Sequence, residues 1–169
     1  MKNKEEFEFE LGVVGLGYVG LPLAVETANN NLKVIGYDIN SERVESINNG
    51  KSPIEDISDD ELLKSLQHFK STTDSKKLSK CKNIVISVPT PLTDYQPDLS
   101  YVVNAAKTVG ENLVKNQVVI LESTTYPGTT IEVLIPNLEN ISGLKAGEDF
   151  FVGYSPERID PGNEVWKFK

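Results

Sequence analysis

Short runs of apolar residues alternate along this chain with longer amphipathic stretches. The clearest run is residues 84–88 (IVISV), which is apolar almost throughout. Runs of this kind are typical of strands that are covered on both faces of a parallel sheet. Strands are predicted over residues 7–14, 32–37, 84–88, 118–121 and 150–154.

Local end signals place helices between these strands. Asn40 is a suitable amino-terminal cap, Ser58 and Glu61 form an S-x-x-E capping box, and Asp98 can cap a further helix. The helix in the 129–138 stretch should end early because Pro136 interrupts it. Helices are predicted over residues 21–29, 41–47, 101–113 and 129–138, and after Ser58. The alternation predicts an α/β fold, a doubly wound, mostly parallel sheet with helices on both faces.

The composition excludes several classes of protein. The chain has 169 residues, close to the usual size of about 150 for one domain. Its 17 Lys and Arg against 25 Asp and Glu give a net charge of −8, which argues against a nucleic-acid partner. The acidic start MKNKEEFEFE does not resemble a signal peptide, and no apolar run of about 18 residues follows. We therefore expect a cytoplasmic protein that has no membrane partner.

The strongest motif is G-x-G-x-x-G, which lies between the first predicted strand and the helix after it. Gly15 permits the tight turn, Gly17 lets a pyrophosphate approach the backbone, and Gly20 lets the helix pack closely on the strand. The free N–H groups at the start of the helix favour an anion. The motif predicts a Rossmann-like fold whose dinucleotide-binding loop consists of Gly15, Leu16, Gly17, Tyr18, Val19 and Gly20.

An acidic residue ends the second predicted strand. Asp38 follows Gly17 by about 20 residues, where a carboxylate accepts hydrogen bonds from the adenosine ribose and repels a 2′-phosphate. The alternative is a structural turn followed by an ordinary loop aspartate. Arg43 could receive a 2′-phosphate, but beside Asp38 it is expected to lie over the adenine or to be a solvated helix charge. The pattern predicts NAD rather than NADP as cofactor.

Three further polar segments follow predicted strands, at the edge where open α/β sheets bind ligands. Thr90 could offer a hydroxyl to the cofactor, unless its flanking prolines form only a rigid connection. Thr124 could be a ligand or a helix cap. Glu157 could act as an acid or base and Arg158 could pair with an anionic substrate group, although adjacent Glu and Arg are more often a solvated surface pair.

Two residues of reactive type are not expected to be catalytic. His68 has no Ser, Cys or metal-ligand partner at a suggestive spacing and should lie half-exposed at a helix end. Cys81 lies where the chain enters the sheet, at the edge opposite the ligand site. Because Cys81 is the only cysteine, the sequence also excludes an internal disulfide and a Cys-rich zinc site, and we expect no metal.

Five sequence blocks together resemble the UDP-sugar 6-dehydrogenase family, in its order and spacing. The blocks are GLGYVGLPLA (15–24), YDIN (37–40), VPTPL (88–92), ESTTYPGTT (122–130) and YSPERIDPG (154–162). UDP-glucose dehydrogenases carry P-E-F-L where this chain has P-E-R-I. The E-R-I-x-P-G form resembles the branch that acts on UDP-N-acetylhexosamines, such as UDP-N-acetylmannosamine or UDP-N-acetylglucosamine.

The resemblance implies a cofactor role for each matched residue. The glycine loop 15–20 would hold the pyrophosphate of NAD, Asp38 the ribose, and Arg43 would flank the adenosine. Thr90 and Thr124 match positions near the nicotinamide half.

The resemblance also implies a reaction. Family members oxidise the sugar C6 alcohol to a carboxylate in two NAD-dependent steps, through a thioester on a cysteine that water cleaves. Glu157 matches a glutamate that assists this hydrolysis, Thr124 a threonine that helps to hold the water, and Arg158 a substrate-facing position. The product would serve nucleotide-sugar metabolism and surface polysaccharide biosynthesis.

The resemblance covers only the amino-terminal part of a family member. We expect an NAD-binding domain at 1–162 and the start of a central helix at 163–169, with the catalytic cysteine and the UDP-binding domain absent. The chain alone should therefore be inactive, whereas the full-length protein should bind a UDP-N-acetylhexosamine and form a homodimer or higher homo-oligomer. One alternative is a stand-alone dinucleotide-binding sensor, which has no use for the YSPERIDPG block. Another is a β-hydroxyacid dehydrogenase, against which the ESTTYPGTT block argues.

Overall fold

Strands and helices alternate through most of the chain. A computed structural model describes residues 7–93 and 96–156. The strands are β1 (Phe9–Val14), β2 (Val34–Tyr37), β3 (Phe69–Thr72), β4 (Cys81–Ile86), β5 (Leu92–Thr93), β6 (Gln96–Pro97), β7 (Val118–Leu121) and β8 (Phe151–Tyr154). The α-helices are α1 (Gly20–Asn29), α2 (Ser41–Asn48), α3 (Asp59–Ser65), α4 (Ser100–Gly110) and α5 (Ile135–Ser142). A 3₁₀ helix covers Ser75–Lys80 and a π-helical turn covers Thr130–Leu134.

Six of the strands form one sheet in the order β3-β2-β1-β4-β7-β8, and every neighbouring pair is parallel. Val14 lies opposite both Tyr37 and Ile86, and Leu121 lies opposite both Ile86 and Tyr154. The carboxyl ends of five strands are therefore level along one edge of the sheet. β5 and β6 form a small antiparallel hairpin outside this sheet. The predicted doubly wound Rossmann-like fold is confirmed.

Each face of the sheet is covered by its own hydrophobic cluster. On one face Val13 and Val85 pack with buried side chains of α1, α2 and α3. On the other face Val14 and Ile84 pack with α4 and α5. Adjacent strand residues point to opposite faces, so nearly continuous apolar strands are required for both clusters. None of the helices in the described residues is long and apolar enough to span a membrane.

Two of the three predicted caps form as expected, whereas Asp98 does not occupy the cap position of its helix. The side chain of Asn40 accepts the N–H of Arg43 at 3.0 Å and starts α2. Ser58 accepts the N–H of Glu61, whose carboxylate accepts the N–H of Ser58, so both halves of the capping box are present. Asp98 accepts the N–H of Ser100 at 2.8 Å, although Leu99 occupies the cap position itself.

Two predicted helix ends were wrong. Pro136 does not end its helix: the π-helical turn runs directly into α5, and Pro136 lies in the first turn of α5, where proline is tolerated. α5 ends instead at Ser142, and Gly143 caps it with φ +71°. α4 ends at Gly110 rather than residue 113, because the following amides bond three residues back and tighten the last turn.

Candidate dinucleotide-binding site

The carboxyl ends of β1, β2, β4 and β7 open into a cleft of about 670 Å³. From β1 the chain continues to β2 and β3 on one side of β1, and then crosses to β4 on the other side. The cleft therefore lies at the topological switch point, where such sheets bind ligands. The predicted site residues that line it are Gly15, Leu16, Gly17, Tyr18, Val19, Asp38, Arg43, Thr90 and Thr124. Gly20 is buried at the start of α1 and does not line the cleft.

The three glycines of the motif differ in whether the fold itself requires a glycine. Gly15 has φ +94°, and a Cβ there would lie 2.6 Å from the carbonyl oxygen of Ser87. A Cβ on Gly20 would overlap the carbonyl oxygen of Gly15. The fold itself therefore requires both residues. A Cβ on Gly17 would meet nothing within 4 Å, so the chain's own packing does not require glycine there.

The start of α1 is prepared for an anion. No side chain caps its amino terminus and no acidic residue lies in its first turn. The helix dipole at such an end favours negative charge, although Leu21 donates its N–H to the carbonyl oxygen of Gly17 and Pro22 has no N–H to offer. Together with the open space at Gly17, this arrangement can accommodate a phosphate group close to the backbone.

Asp38 is a buried carboxylate with several donors. Its side chain is 5% exposed, and Oδ2 accepts the N–H of Leu16 at 2.9 Å while Oδ1 accepts the N–H of Asn40 at 2.9 Å. These contacts fix the carboxylate beside the glycine loop. Arg43 Nη1 also donates to Oδ2 at 2.9 Å. Arg43 is thus an ion-pair partner of Asp38 rather than a solvated helix charge, because one turn of α2 brings its guanidinium back to the end of β2.

The loops after β4 and β7 form the other side of the cleft. Thr90 Oγ1 donates to the carbonyl oxygen of Thr124 at 2.6 Å, so the two predicted site residues lie together. The Thr90 hydroxyl proton is engaged within the protein, which leaves the oxygen free to accept a hydrogen bond from a ligand.

One face of α4 completes the cleft and was not predicted. Tyr101, Asn104, Ala105 and Thr108 all line it. Their spacing of three, four and seven residues places them on a single helix face. This spacing was present in the sequence, but polar residues on one helix face usually indicate solvent exposure.

Cys81 and His68, which were not expected to be catalytic, lie apart from the cleft. Cys81 begins β4, at the opposite edge of the sheet, and is buried. Burial, followed by the nearby carboxylate of Glu8, raises the pKa of the Cys81 thiol to about 12, so the reactive thiolate is scarce near neutral pH. His68 is half-buried just beyond the end of α3. In the part of the chain that the structure describes, no group of His, Cys, Asp or Glu is arranged to hold a metal ion.

Glu157 and Arg158 lie outside the described residues. The chain leading to them is defined as far as Pro156, and the N–H of Ser155 donates to the carbonyl oxygen of Leu121 at 3.0 Å. β8 therefore delivers the chain to the same edge of the sheet as the loop that carries Thr124.

The glycines provide a test that separates folding from binding. Gly20→Ala should lower the free energy of unfolding by about 1–3 kcal/mol, because the backbone must shift to admit the Cβ. Gly17→Ala should leave the thermal midpoint nearly unchanged but weaken dinucleotide binding, because its Cβ occupies ligand space. Thermal unfolding and calorimetric titration of both variants measure the two effects. Strong destabilisation by Gly17→Ala would contradict the assignment.

Comparison with known proteins identifies relatives over almost all of this chain. The family model described as UDP-glucose/GDP-mannose dehydrogenase family, NAD binding domain, matches residues 9–168. Protein CapL of Staphylococcus aureus is 44% identical over 160 residues, which are 94% of this chain and 37% of that protein. A UDP-N-acetyl-D-glucosamine 6-dehydrogenase of Salmonella typhi is 42% identical over 158 residues, which are 93% of this chain and 37% of the relative.

The solved structures give the same result. The UDP-N-acetyl-D-mannosamine dehydrogenase of Pyrococcus horikoshii superimposes with a TM-score of 0.84 at 42% identity, and the match covers 90% of this chain and 37% of that structure. This chain spans little more than a third of the length of the curated relatives it matches, 37% in each of the two described above.

Proposed function

Because this chain belongs to the UDP-glucose/GDP-mannose dehydrogenase family, of which it carries the NAD-binding domain, we propose that it provides the cofactor site of an enzyme that oxidises the C6 alcohol of a UDP-N-acetylhexosamine to a carboxylate. The observation that carries the site assignment is the buried Asp38 carboxylate beside the open backbone at Gly17. A dinucleotide site needs both features, an acceptor for a ribose hydroxyl and a close backbone approach for the pyrophosphate.

The described residues fit NAD. A carboxylate offers about four acceptor positions, and the donors described above engage three of those on Asp38. A position therefore remains for a ribose hydroxyl. Gly17 and the uncapped start of α1 leave room and a favourable potential for the pyrophosphate. The chemistry that NAD supplies when bound is hydride acceptance, and the residues of this chain bind and orient it.

Calorimetric titration of the chain with NAD and with NADP tests the cofactor assignment. We expect tighter binding of NAD, because the 2′-phosphate of NADP would approach the buried carboxylate of Asp38. Equal or tighter binding of NADP would contradict the roles given to Asp38 and Arg43.

The substrate class is supported by two lines of argument. The E-R-I-x-P-G form at residues 157–162 resembles the N-acetylhexosamine branch, and the similar proteins of Salmonella typhi and Pyrococcus horikoshii are named for UDP-N-acetylated sugars. We propose that Arg158 contacts the sugar nucleotide, that Glu157 assists thioester hydrolysis, and that Thr124 helps to hold the attacking water.

The wider setting is inferred in the same way. We propose that residues 1–162 are the NAD-binding domain and that 163–169 begin a connecting helix. We further propose that the complete enzyme is a cytoplasmic homodimer or higher homo-oligomer, and that it supplies oxidised nucleotide sugars for surface polysaccharide synthesis.

The chain alone should not oxidise a UDP-sugar to the carboxylate. The thioester formed in the second oxidation needs a thiolate nucleophile beside the reacting carbon, whereas Cys81 is buried at the far edge of the sheet and its thiol has a pKa of about 12. Incubation with NAD and UDP-N-acetylmannosamine or UDP-N-acetylglucosamine should yield no UDP-sugar carboxylate. Carboxylate formation that is abolished by Cys81→Ser would overturn this expectation.

A further inference from the structure

Ser123, in the loop after β7, makes two hydrogen bonds to Val88, in the loop after β4. Its hydroxyl donates to the carbonyl oxygen of Val88 at 2.8 Å and accepts the N–H of Val88 at 2.9 Å. The residue is only 5% exposed, although it lines the cleft. A buried hydroxyl used in both directions fixes the distance and the relative orientation of the two loops.

This contact continues the pairing of β4 and β7 beyond the sheet. The last backbone hydrogen bond between these two segments runs from the N–H of Glu122 to the carbonyl oxygen of Ile86 at 2.9 Å. Pro89 has no N–H to extend the ladder. Beyond that point the loops are joined by two hydroxyls, that of Ser123 to Val88 and that of Thr90 to Thr124.

The two loops lie on the far side of the glycine loop from Asp38. In the sheet, β2 lies on one side of β1, and Asp38 directly follows β2. On the other side lie β4 and β7, followed by the two loops that these hydroxyls join. An extended dinucleotide whose adenosine ribose binds Asp38 therefore places its nicotinamide half against the loops after β4 and β7.

We propose that Ser123 is a positioning residue for the nicotinamide half of the cofactor, acting through Val88 to hold the two loops at a fixed separation. The proposal rests on NAD binding in this cleft. Hydride transfer needs reacting atoms within about 3–3.5 Å, so the loops that support the nicotinamide must be rigid. Ser123 supplies this rigidity without contacting the reacting atoms.

Comparing NAD with ADP-ribose, which lacks the nicotinamide, tests the proposal on the chain itself. Ser123→Ala should weaken NAD binding about tenfold, in line with the loss of a buried hydrogen-bonded partner, and should leave ADP-ribose binding unchanged within about twofold. The measured quantity is the ratio of the two dissociation constants from calorimetric titration. A general loss of stability would not change this ratio.

Two serines serve as matched controls. Ser65 is also buried, and its hydroxyl donates to the carbonyl oxygen of Leu62 within α3, outside the cleft, so Ser65→Ala should change neither constant. The Ser87 hydroxyl donates to the carbonyl oxygen of Gly15 at 3.2 Å, below the pyrophosphate loop. Ser87→Ala should weaken NAD and ADP-ribose by the same factor.

The possible outcomes distinguish the two proposals. If the unmutated chain binds neither ligand, NAD binding and the role of Ser123 both fail. If it binds both ligands and Ser123→Ala changes them equally or not at all, only the role of Ser123 fails. Should Ser123→Ala not fold, Ser123→Thr and Ser123→Val form an equally sized pair. The threonine should keep the original ratio and the valine should shift it, and an equal ratio in both would overturn the proposal.

Discussion

Asp38→Ala is expected to weaken NAD binding by about 1–3 kcal/mol, or roughly 5- to 150-fold, and to move the preference towards NADP. The variant removes the acceptor for the ribose hydroxyl. It also releases Arg43, whose guanidinium lies 2.9 Å from the carboxylate, so that an unpaired positive charge faces the position of a 2′-phosphate. Titration of the variant with both dinucleotides gives the two constants.

Two further variants serve as comparisons. One removes a carboxylate outside the cleft, and the other removes the guanidinium of Arg43 but keeps the carboxylate of Asp38. Asp59 provides a matched control, since it accepts Lys51 Nζ at 2.8 Å and the N–H of Ser52 at 2.9 Å but does not line the cleft. Asp59→Ala should leave the ratio of NAD to NADP affinity unchanged. Arg43→Ala should retain the preference for NAD because Asp38 remains. Undiminished NAD affinity in a folded Asp38→Ala chain would show that the ribose does not bind this carboxylate.

The features that the sequence predicted correctly depend mainly on local interactions. Capping by Asn40 and by the Ser58–Glu61 pair is decided within three residues, so the pattern was sufficient. The glycine loop was predicted because its turn needs Gly15 at φ +94° and its helix needs Gly20 beneath that turn.

The features that were missed depend on how neighbouring elements are arranged in space, which no residue pattern records. Three of the four residues of β3 (Phe69–Thr72) are polar, so the strand has no strong pattern of its own. It forms because β2 offers a parallel edge and because Phe69 is buried. Pro136 was misjudged because its effect depends on the π-helical turn before it. The ion pair of Asp38 with Arg43 required the actual direction of α2, which the sequence does not contain.

The same limit applies to the candidate site. Its residues on loops after strands could be predicted, since the carboxyl edge of a parallel sheet is common to all of them. The hydroxyl contacts that join these loops could not, because they depend on the separation of β4 and β7. No sequence pattern therefore distinguishes Ser123 from its neighbour Thr124, although Ser123 makes two hydrogen bonds that join the loops after β4 and β7.

A full-length family member that contains this domain would allow the proposed role of Glu157 to be tested. Glu157→Gln should slow the final hydrolysis about 10²–10⁴-fold, the range of general acid–base assistance, and leave both hydride transfers comparatively intact. A covalent enzyme–sugar thioester should then accumulate and appear as added mass in intact-protein mass spectrometry. Thr124→Ala should show a weaker form of the same defect, because it loosens the water without removing the carboxylate.

A matched control and a competing explanation complete this test. Glu148 is exposed and lies before β8, away from the cleft, so Glu148→Gln should turn over normally without added mass. The competing explanation is a surface ion pair of Glu157 with Arg158, worth at most about 1 kcal/mol of stability and without kinetic effect. Normal turnover and no added sugar mass in Glu157→Gln would favour that explanation, whereas a trapped thioester with intact NADH formation would assign the hydrolytic step to Glu157.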